Sequence, residues 1–517
     1  MSEQLKKIRP LHIMSVLGTG LYEPVIYGDS TEENAFFQIS LIEKYHEDIK
    51  VSDGNFTIFL TSGAKKSNWN DRIYSDIDVS RTSKWHEHIR KAVVKDHVKK
   101  GLESIINEKF PDLVASKKIH IVDIKDGKSK EEIAELFDKI YKNINDNEDI
   151  VFDVTHSFRS IPILVITVLN YAKALKNISV KGIFYGAYEA AVLNGEKKEA
   201  PVFDLTPYDD IIEWANAARE FEKYGDASYM SQLIKNKKRW MSISQRKEIA
   251  PIEGIVKAMD NLSMTIQTGR GAMPEELEGK DLFSKSIYEA YKDLKKKLDS
   301  DEFKRMSDKE SADLNNPVMS ASISPLLSNA VNSYSIFDIP RDNNDVSSNY
   351  KIGLQVVNWS IDNNMIQQGY TALEETIKTF LCNYFGLPDN DEKCRDHIIG
   401  SFITSYSNFM KKYSGNTEKS FVQFVFEEDD HLIRAFNEFD AENKKELFQK
   451  IAISVDTEDD NPIKKLFKVG SSIKNDRNDI NHFGIRPHPS DASSLKGHLE
   501  KYYAEVVTYI NALLNIQ

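Results

Sequence analysis

The chain has 517 residues, 40% of them hydrophobic and 29% charged, with a formal net charge of −12. That length exceeds one compact core and predicts two or three domains, and the apolar share excludes a disordered chain. The acidic balance argues against a broad basic face for duplex DNA, but a local anion site needs only a few Lys and Arg.

The first 200 residues alternate short apolar runs with amphipathic ones. Residues 11–17 predict a strand that ends on Gly18, Thr19 and Gly20. Apolar positions at helical spacing (Phe36, Phe37, Ile39, Leu41, Ile42, Tyr45) predict a helix over 31–45. A strand over 56–60 precedes Thr61, Ser62 and Gly63, with Asn68 and Trp69 just beyond. A helix over 86–110, a strand over 119–124 and a helix over 131–141 follow. Next come a strand over 150–154, a buried helix over 161–175 and a strand over 180–185. The alternation predicts a parallel sheet with helices on both faces, a Rossmann-like α/β domain. Val192 and Leu193 lead into Asn194-Gly195, a two-residue turn signal, with a returning strand over 201–205. After Pro207 the pattern is helical, over 210–224, 252–266, 283–298, 361–384 and 495–514, so the C-terminal part is all-α. Residues 300–350, rich in Asn, Ser and Asp, read as a connector or long loop. The expected division is 1–206, a helical linker region over 207–350, and 351–517.

Cys382 and Cys394 form neither a disulfide framework nor a zinc pattern. No apolar signal core follows the first ten residues. The most apolar stretch, 161–169, is broken by Pro162 and far short of the ~20 residues of a membrane span. A cytoplasmic protein that neither enters nor crosses a membrane is expected.

Two groups of residues carry chemistry. Arg477-Asn478, three residues, then His482 suits metal-free RNA cleavage by the RNA's own 2′-hydroxyl. Histidine transfers protons near neutral pH, and a permanently charged guanidinium stabilises the phosphorane-like transition state. Asn478 can hold a neighbouring side chain or a phosphate oxygen. Five residues on a helix turn through about 500°, which sets Arg477 and His482 about 140° apart. Either the segment bends or a second copy of the motif completes the site across a dimer axis. A surface histidine gives the same spacing by chance. Arg81 and His86 repeat it in the α/β half with Thr82 in place of Asn, and that copy is read as coincidence.

The second group lies at three strand ends: Gly18-Thr19-Gly20, Thr61-Ser62-Gly63, and Asp153-Val154-Thr155-His156-Ser157-Phe158-Arg159. Ligands of open α/β sheets bind at such ends. Glycine admits backbone N–H groups to phosphate, Thr155 and Ser157 offer hydroxyls, Arg159 a charge, and Trp69 a stacking surface. The bland alternative is turn chemistry, with His156 capping a helix. Neither a dinucleotide fingerprint nor a P-loop is present. Glu374 and Glu375 read as a solvated helix face, though one could orient Arg477. His86 and His88 lack a third ligand, so no metal site is assigned.

The whole chain resembles the CARF–HEPN ribonucleases of type III CRISPR systems. The resemblance rests on Gly18-Thr19-Gly20 with Tyr22, on the stretch from Asp153 to Arg159, on Phe184-Tyr185-Gly186-Ala187, and on Arg477-Asn478 with His482. It implies an N-terminal CARF domain binding a cyclic oligoadenylate at a dimer interface, cyclic tetra-adenylate first and cyclic hexa-adenylate second. It also implies a C-terminal HEPN domain that cuts single-stranded RNA as a homodimer, without a metal cofactor. Some relatives also cleave their activator in the CARF domain, where Thr155 and His156 lie.

Overall fold

The computed structural model describes residues 9–73, 98–156, 161–195, 197–238, 241–270, 286–307, 317–339, 348–413, 419–439, 444–482, 484–485 and 489–515. The chain divides into two compact units, residues 1–210 and 211–517. Among the described residues no helix is long and apolar enough to cross a membrane.

The first unit is built on a six-stranded sheet. In chain order the strands are β1 (Leu11–Leu17), β2 (Ile26–Tyr27), β3 (Asn55–Leu60), β4 (Arg72–Ile73), β5 (Val98–Lys99), β6 (Ile119–Asp123), β7 (Asp149–Asp153), β8 (Ser179–Gly186), β9 (Val192–Asn194), β10 (Lys197–Ala200) and β11 (Val202–Asp204). The main sheet runs β11-β8-β7-β1-β3-β6. Its inner pairs are parallel and β11 is antiparallel at the edge. Period-two alternation explains why β1 is buried on both faces. Ile13 and Leu17 face a core with Phe56, Ile58 and the helix Phe37–Val51. Met14 and Val16 face another with Phe152 and the helices Lys130–Lys142 and Ile161–Lys176. Each such side chain contributes about 1.5–3 kcal/mol on burial.

From β1 the chain steps to β3 and then β6 on one side, and returns to β7 and β8 on the other. The order therefore reverses between β1 and β7, and the crevice at their carboxyl ends is where such sheets bind ligands. Those ends carry Gly18-Thr19-Gly20 and Asp153–His156.

Several expected elements are corrected. The helix expected over 31–45 begins only at Phe37 and runs to Val51, because Val25 and Asn34 engage each other's backbone at 2.9 and 3.1 Å. Of the helix expected over 86–110, residues 86–97 lie outside the described ones. The rest is β5 and the helix Leu102–Lys109, separated at Gly101. Asn194-Gly195 does turn a hairpin, but the returning strand is β10, and residues 202–204 instead join the main sheet beside β8.

The second unit is helical among the described residues. The stretch expected as a loop over 300–350 contains the helices Asp301–Ser307 and Pro317–Asn332 and the start of Ser348–Asp362. Its polar composition hides Ile323, Leu327, Ala330 and Val331, all buried at helical spacing. The expected boundary at 350 thus falls within a helix. That helix gives Ile352, Val356 and Trp359 to one core and Tyr350, Val357 and Ile361 to another. The helix expected over 361–384 is two helices, Ser348–Asp362 and Ile366–Phe385. They part at Asn364, whose φ of +57° asparagine tolerates better than most residues.

Candidate functional site

The crevice of the first unit is built on a buried carboxylate. Asp153, at the end of β7, accepts from Ser15 Oγ at 2.7 Å and from the Thr155 backbone N–H at 2.8 Å. Gln38 Nε2 in turn donates to Ser15 Oγ at 2.9 Å. Burial pushes the Asp153 carboxyl up to about 6, against the pull of the Ser15 and Thr155 hydrogen bonds. The Thr155 hydroxyl accepts from the Gly186 backbone N–H at 2.7 Å and ties β7 to the end of β8.

His156 is buried, with its ring against Tyr22 at 3.9 Å between centroids. Burial, then the charge of Lys99, pushes its imidazole down to about 3, so the ring is neutral. Burial pushes the Tyr22 hydroxyl up to about 12. A Cβ on Gly18 would stand 2.3 Å from the His156 carbonyl oxygen, so only glycine permits this approach of the β1 and β7 ends.

Across the crevice, Asn68 Nδ2 donates to the carbonyl oxygens of Gly18 and Gly20 at 2.9 and 2.8 Å. Its Oδ1 accepts from Lys99 Nζ at 2.7 Å. Lys99 was not singled out by sequence, because it lies outside any strand-end motif. It is buried and pairs in register with Arg72. Burial and the Arg72 charge push it down to about 8. Among the described residues no carboxylate pairs with Lys99, and an ammonium held by an amide oxygen suits an anionic ligand.

The sequence-derived residues thus separate by role. Thr19, Gly20 and Ser62 are exposed, and Gly63, Tyr22 and Thr155 half-buried. Gly18, Thr61, Asn68, Asp153 and His156 are buried beneath them, with Thr61 Oγ1 accepting from the Ala64 N–H at 3.2 Å. Trp69, expected as a stacking surface, is buried in the core. Ser157 and Arg159 lie outside the described residues, as do His86 and His88.

In the second unit, Arg477 and Asn478 lie near the end of the helix Pro462–Asn481, and His482 is its C-cap. Arg477 donates to Asn478 Oδ1 at 3.2 Å. Its Nε lies 3.3 Å from Glu374 Oε2 without good hydrogen-bond alignment, a contact of charge. Glu374 is therefore no solvated face: it is 5% exposed and sits between Arg477 and Lys378. Glu375 pairs with Lys378 and Arg395 at 2.8 and 2.7 Å. The His482 backbone N–H donates to the Asn478 carbonyl at 3.0 Å, and its side chain is exposed.

Asp476, just before the motif, and Asp479, within it, were missed as anchors. Ser490 donates through its N–H to Asp479 at 2.7 Å and through its hydroxyl to Asp476 at 3.0 Å. These bonds hold Ser490 against the motif helix. The repeated Asp flanking Arg477-Asn478 was the available signal.

Residues 13–189 match the family model described as the CARF domain of the CRISPR system endoribonuclease Csx1. Over 381 residues the chain is 26% identical to the CRISPR-associated protein MJ1674 of Methanocaldococcus jannaschii, covering 72% of this chain and 48% of that protein. The matched part of the chain thus spans about half the length of this curated relative. Together with the mixed sheet and its loaded switch point, these similarities support a CRISPR-associated protein with an N-terminal CARF domain and a helical remainder.

Proposed function

We propose that the chain is a metal-independent single-stranded RNA endoribonuclease of type III CRISPR antiviral defence, switched on by a cyclic oligoadenylate. It acts in the cytoplasm as a homodimer, with a HEPN-type site in its helical part. The observation that carries this reading is Arg477 held by buried Glu374 at the end of the helix that His482 caps. Arg477 meets the charge of the transferring phosphate, His482 moves a proton, and Asn478 steadies the guanidinium. His482 leaves the helix about 140° from Arg477 by helical geometry, so a two-fold pairing of motifs supplies the complementary groups. The activator, cyclic tetra-adenylate before cyclic hexa-adenylate, rests on the exposed Thr19, Gly20 and Ser62, with Lys99 tied to the same glycine turn through Asn68. The matched family's description as part of an endoribonuclease supports the same reading.

The test is RNA cleavage in EDTA with each cyclic oligoadenylate. Cleavage should persist, leave 2′,3′-cyclic phosphate ends, stop at a 2′-deoxy position, and fall by about a hundredfold or more in His482→Ala. Loss of cleavage in EDTA overturns the metal-free step. Undiminished cleavage in both Arg477→Ala and His482→Ala leaves a ligand-gated sensor whose helical part binds RNA or a partner without cutting it.

A further inference from the structure

Lys474 lies one turn before Arg477 on the motif helix Pro462–Asn481. By helical rotation it stands about 60° from Arg477 on one side and about 80° from His482 on the other, with Asn478 about 40° away. Its direction from the helix axis thus falls inside the sector that the motif residues bound.

Lys474 is half-buried, and its Nζ donates to Thr404 Oγ1 at 2.6 Å. That hydroxyl is itself fixed, because it donates to the Gly400 carbonyl at 2.8 Å within the helix Gly400–Tyr413. One of the three ammonium donors is therefore spent on a neutral partner, and the nitrogen is held in place. The carboxylates of this region are engaged by other cations. Glu374 lies between Arg477 and Lys378, Glu375 between Lys378 and Arg395, and Asp396 accepts from Lys378 at 2.7 Å. Among the described residues no carboxylate makes an ion pair with Lys474. Burial pushes its ammonium below the ordinary lysine range; Glu374 draws it up, and Lys378 and Arg477 push it down. The nitrogen thus lies within reach of the Arg477 charge and of the carboxylate that holds it. A positioned ammonium beside a guanidinium, with no carboxylate of its own, is complementary to a phosphate oxygen.

We propose that Lys474, held by Thr404, binds a phosphate of the RNA strand next to the one that Arg477 meets. The inference deepens the ribonuclease reading above and rests on it. Lys474 moves no proton and breaks no bond. It sets where the strand lies across the motif, through a contact that is the same whatever the base.

The test uses the full chain with saturating activator and a fluorescent all-2′-fluoro RNA, which keeps every phosphate and has no 2′-hydroxyl to attack. Cleavage of ordinary RNA is followed in parallel. Lys474→Met keeps the aliphatic stem and removes the charge, and Lys474→Arg keeps the charge. Lys474→Met should weaken binding by about tenfold for RNAs of unrelated sequence. Its plot of log affinity against log salt should flatten by about 0.7, the share of one phosphate contact on a single strand. Lys474→Arg should keep the wild-type slope. A methylphosphonate, which is neutral, at one of the two phosphates flanking the cut found in ordinary RNA should cost the wild type about tenfold and Lys474→Met nothing further. An unchanged salt slope in Lys474→Met, or a wild type that tolerates the methylphosphonate at both positions, overturns the proposal. Loss of cleavage in Arg477→Ala then keeps the ribonuclease reading. If Arg477→Ala cleaves normally while Lys474→Met shows the flatter slope, the ribonuclease reading falls and the phosphate contact stands.

Discussion

Asp153 and His156 lie three residues apart in one buried network and titrate in opposite senses. The His156 ring is held neutral down to about 3 against an ordinary 6.5, so its contribution to stability is lost as pH falls through that window. Asp153 holds its proton up to about 6 against an ordinary 3.8, so its contribution is present in acid and lost as pH rises through 6. Between about pH 4 and 6 the two slopes oppose each other. Asp153→Asn removes one of them. Its N-terminal unit should then lose stability toward acid at a slope approaching ~1.4 kcal/mol per pH unit. Urea unfolding at steps across that range checks it, and an equally flat variant would show that His156 accepts a proton in the fold. The Asp153–His156 stretch stood out in the sequence because small and polar residues followed a strand. Lys99 did not, since its burial beside Arg72 depends on a strand pairing between residues 27 positions apart.

The helix Ile366–Phe385 is the element that arranges the second site. Tyr370, Glu374 and Lys378 follow at one-turn intervals along it, and Glu374 lies between two cations. Glu374→Ala leaves Arg477 and Lys378 close with no carboxylate between them, so the guanidinium should move off its position. Cleavage at saturating activator should fall by about tenfold to a hundredfold, with activator affinity unchanged. Kinetics with a binding assay on the same variant checks this, and an undiminished kcat assigns Glu374 to the fold alone. Sequence periodicity marked this helix but not its start. Asn363-Asn364 breaks the register through a left-handed residue, which a hydrophobic pattern does not register. The polar stretch over 300–350 failed similarly: a few buried positions at helical spacing outweigh weak local propensity once a core receives them.

For the whole molecule, the proposed activation requires that activator binding and RNA cleavage share an equilibrium, and a hundredfold stimulation corresponds to about 2.7 kcal/mol of coupling. The helix Thr206–Tyr224 runs through residue 210, where the chain divides. Its first turn is anchored by buried Asp209, which accepts from Lys173 at 2.5 Å and Asn170 at 3.2 Å on the helix that follows the Asp153–His156 end. Asp209→Asn should leave activator affinity within about twofold and reduce the stimulation of cleavage by about tenfold, a loss of ~1.4 kcal/mol in coupling. Paired binding and cleavage titrations read this out, and an unchanged stimulation removes the anchor from the coupling route.

The sequence by itself determined the alternation of strands and helices, the helical character after Pro207, and the grouping of small and polar residues at strand ends. These follow from residue periodicity and turn chemistry, which act over a few positions. Only the tertiary structure decided that β1 and β7 adjoin at the reversal of strand order, that Trp69 is core, and that Lys99 lies under the glycine turn. It alone brought Glu374 to Arg477 and Thr404 to Lys474. Those pairings join residues from 70 to 103 positions apart. Burial and charge select them across the fold, and no local pattern encodes them.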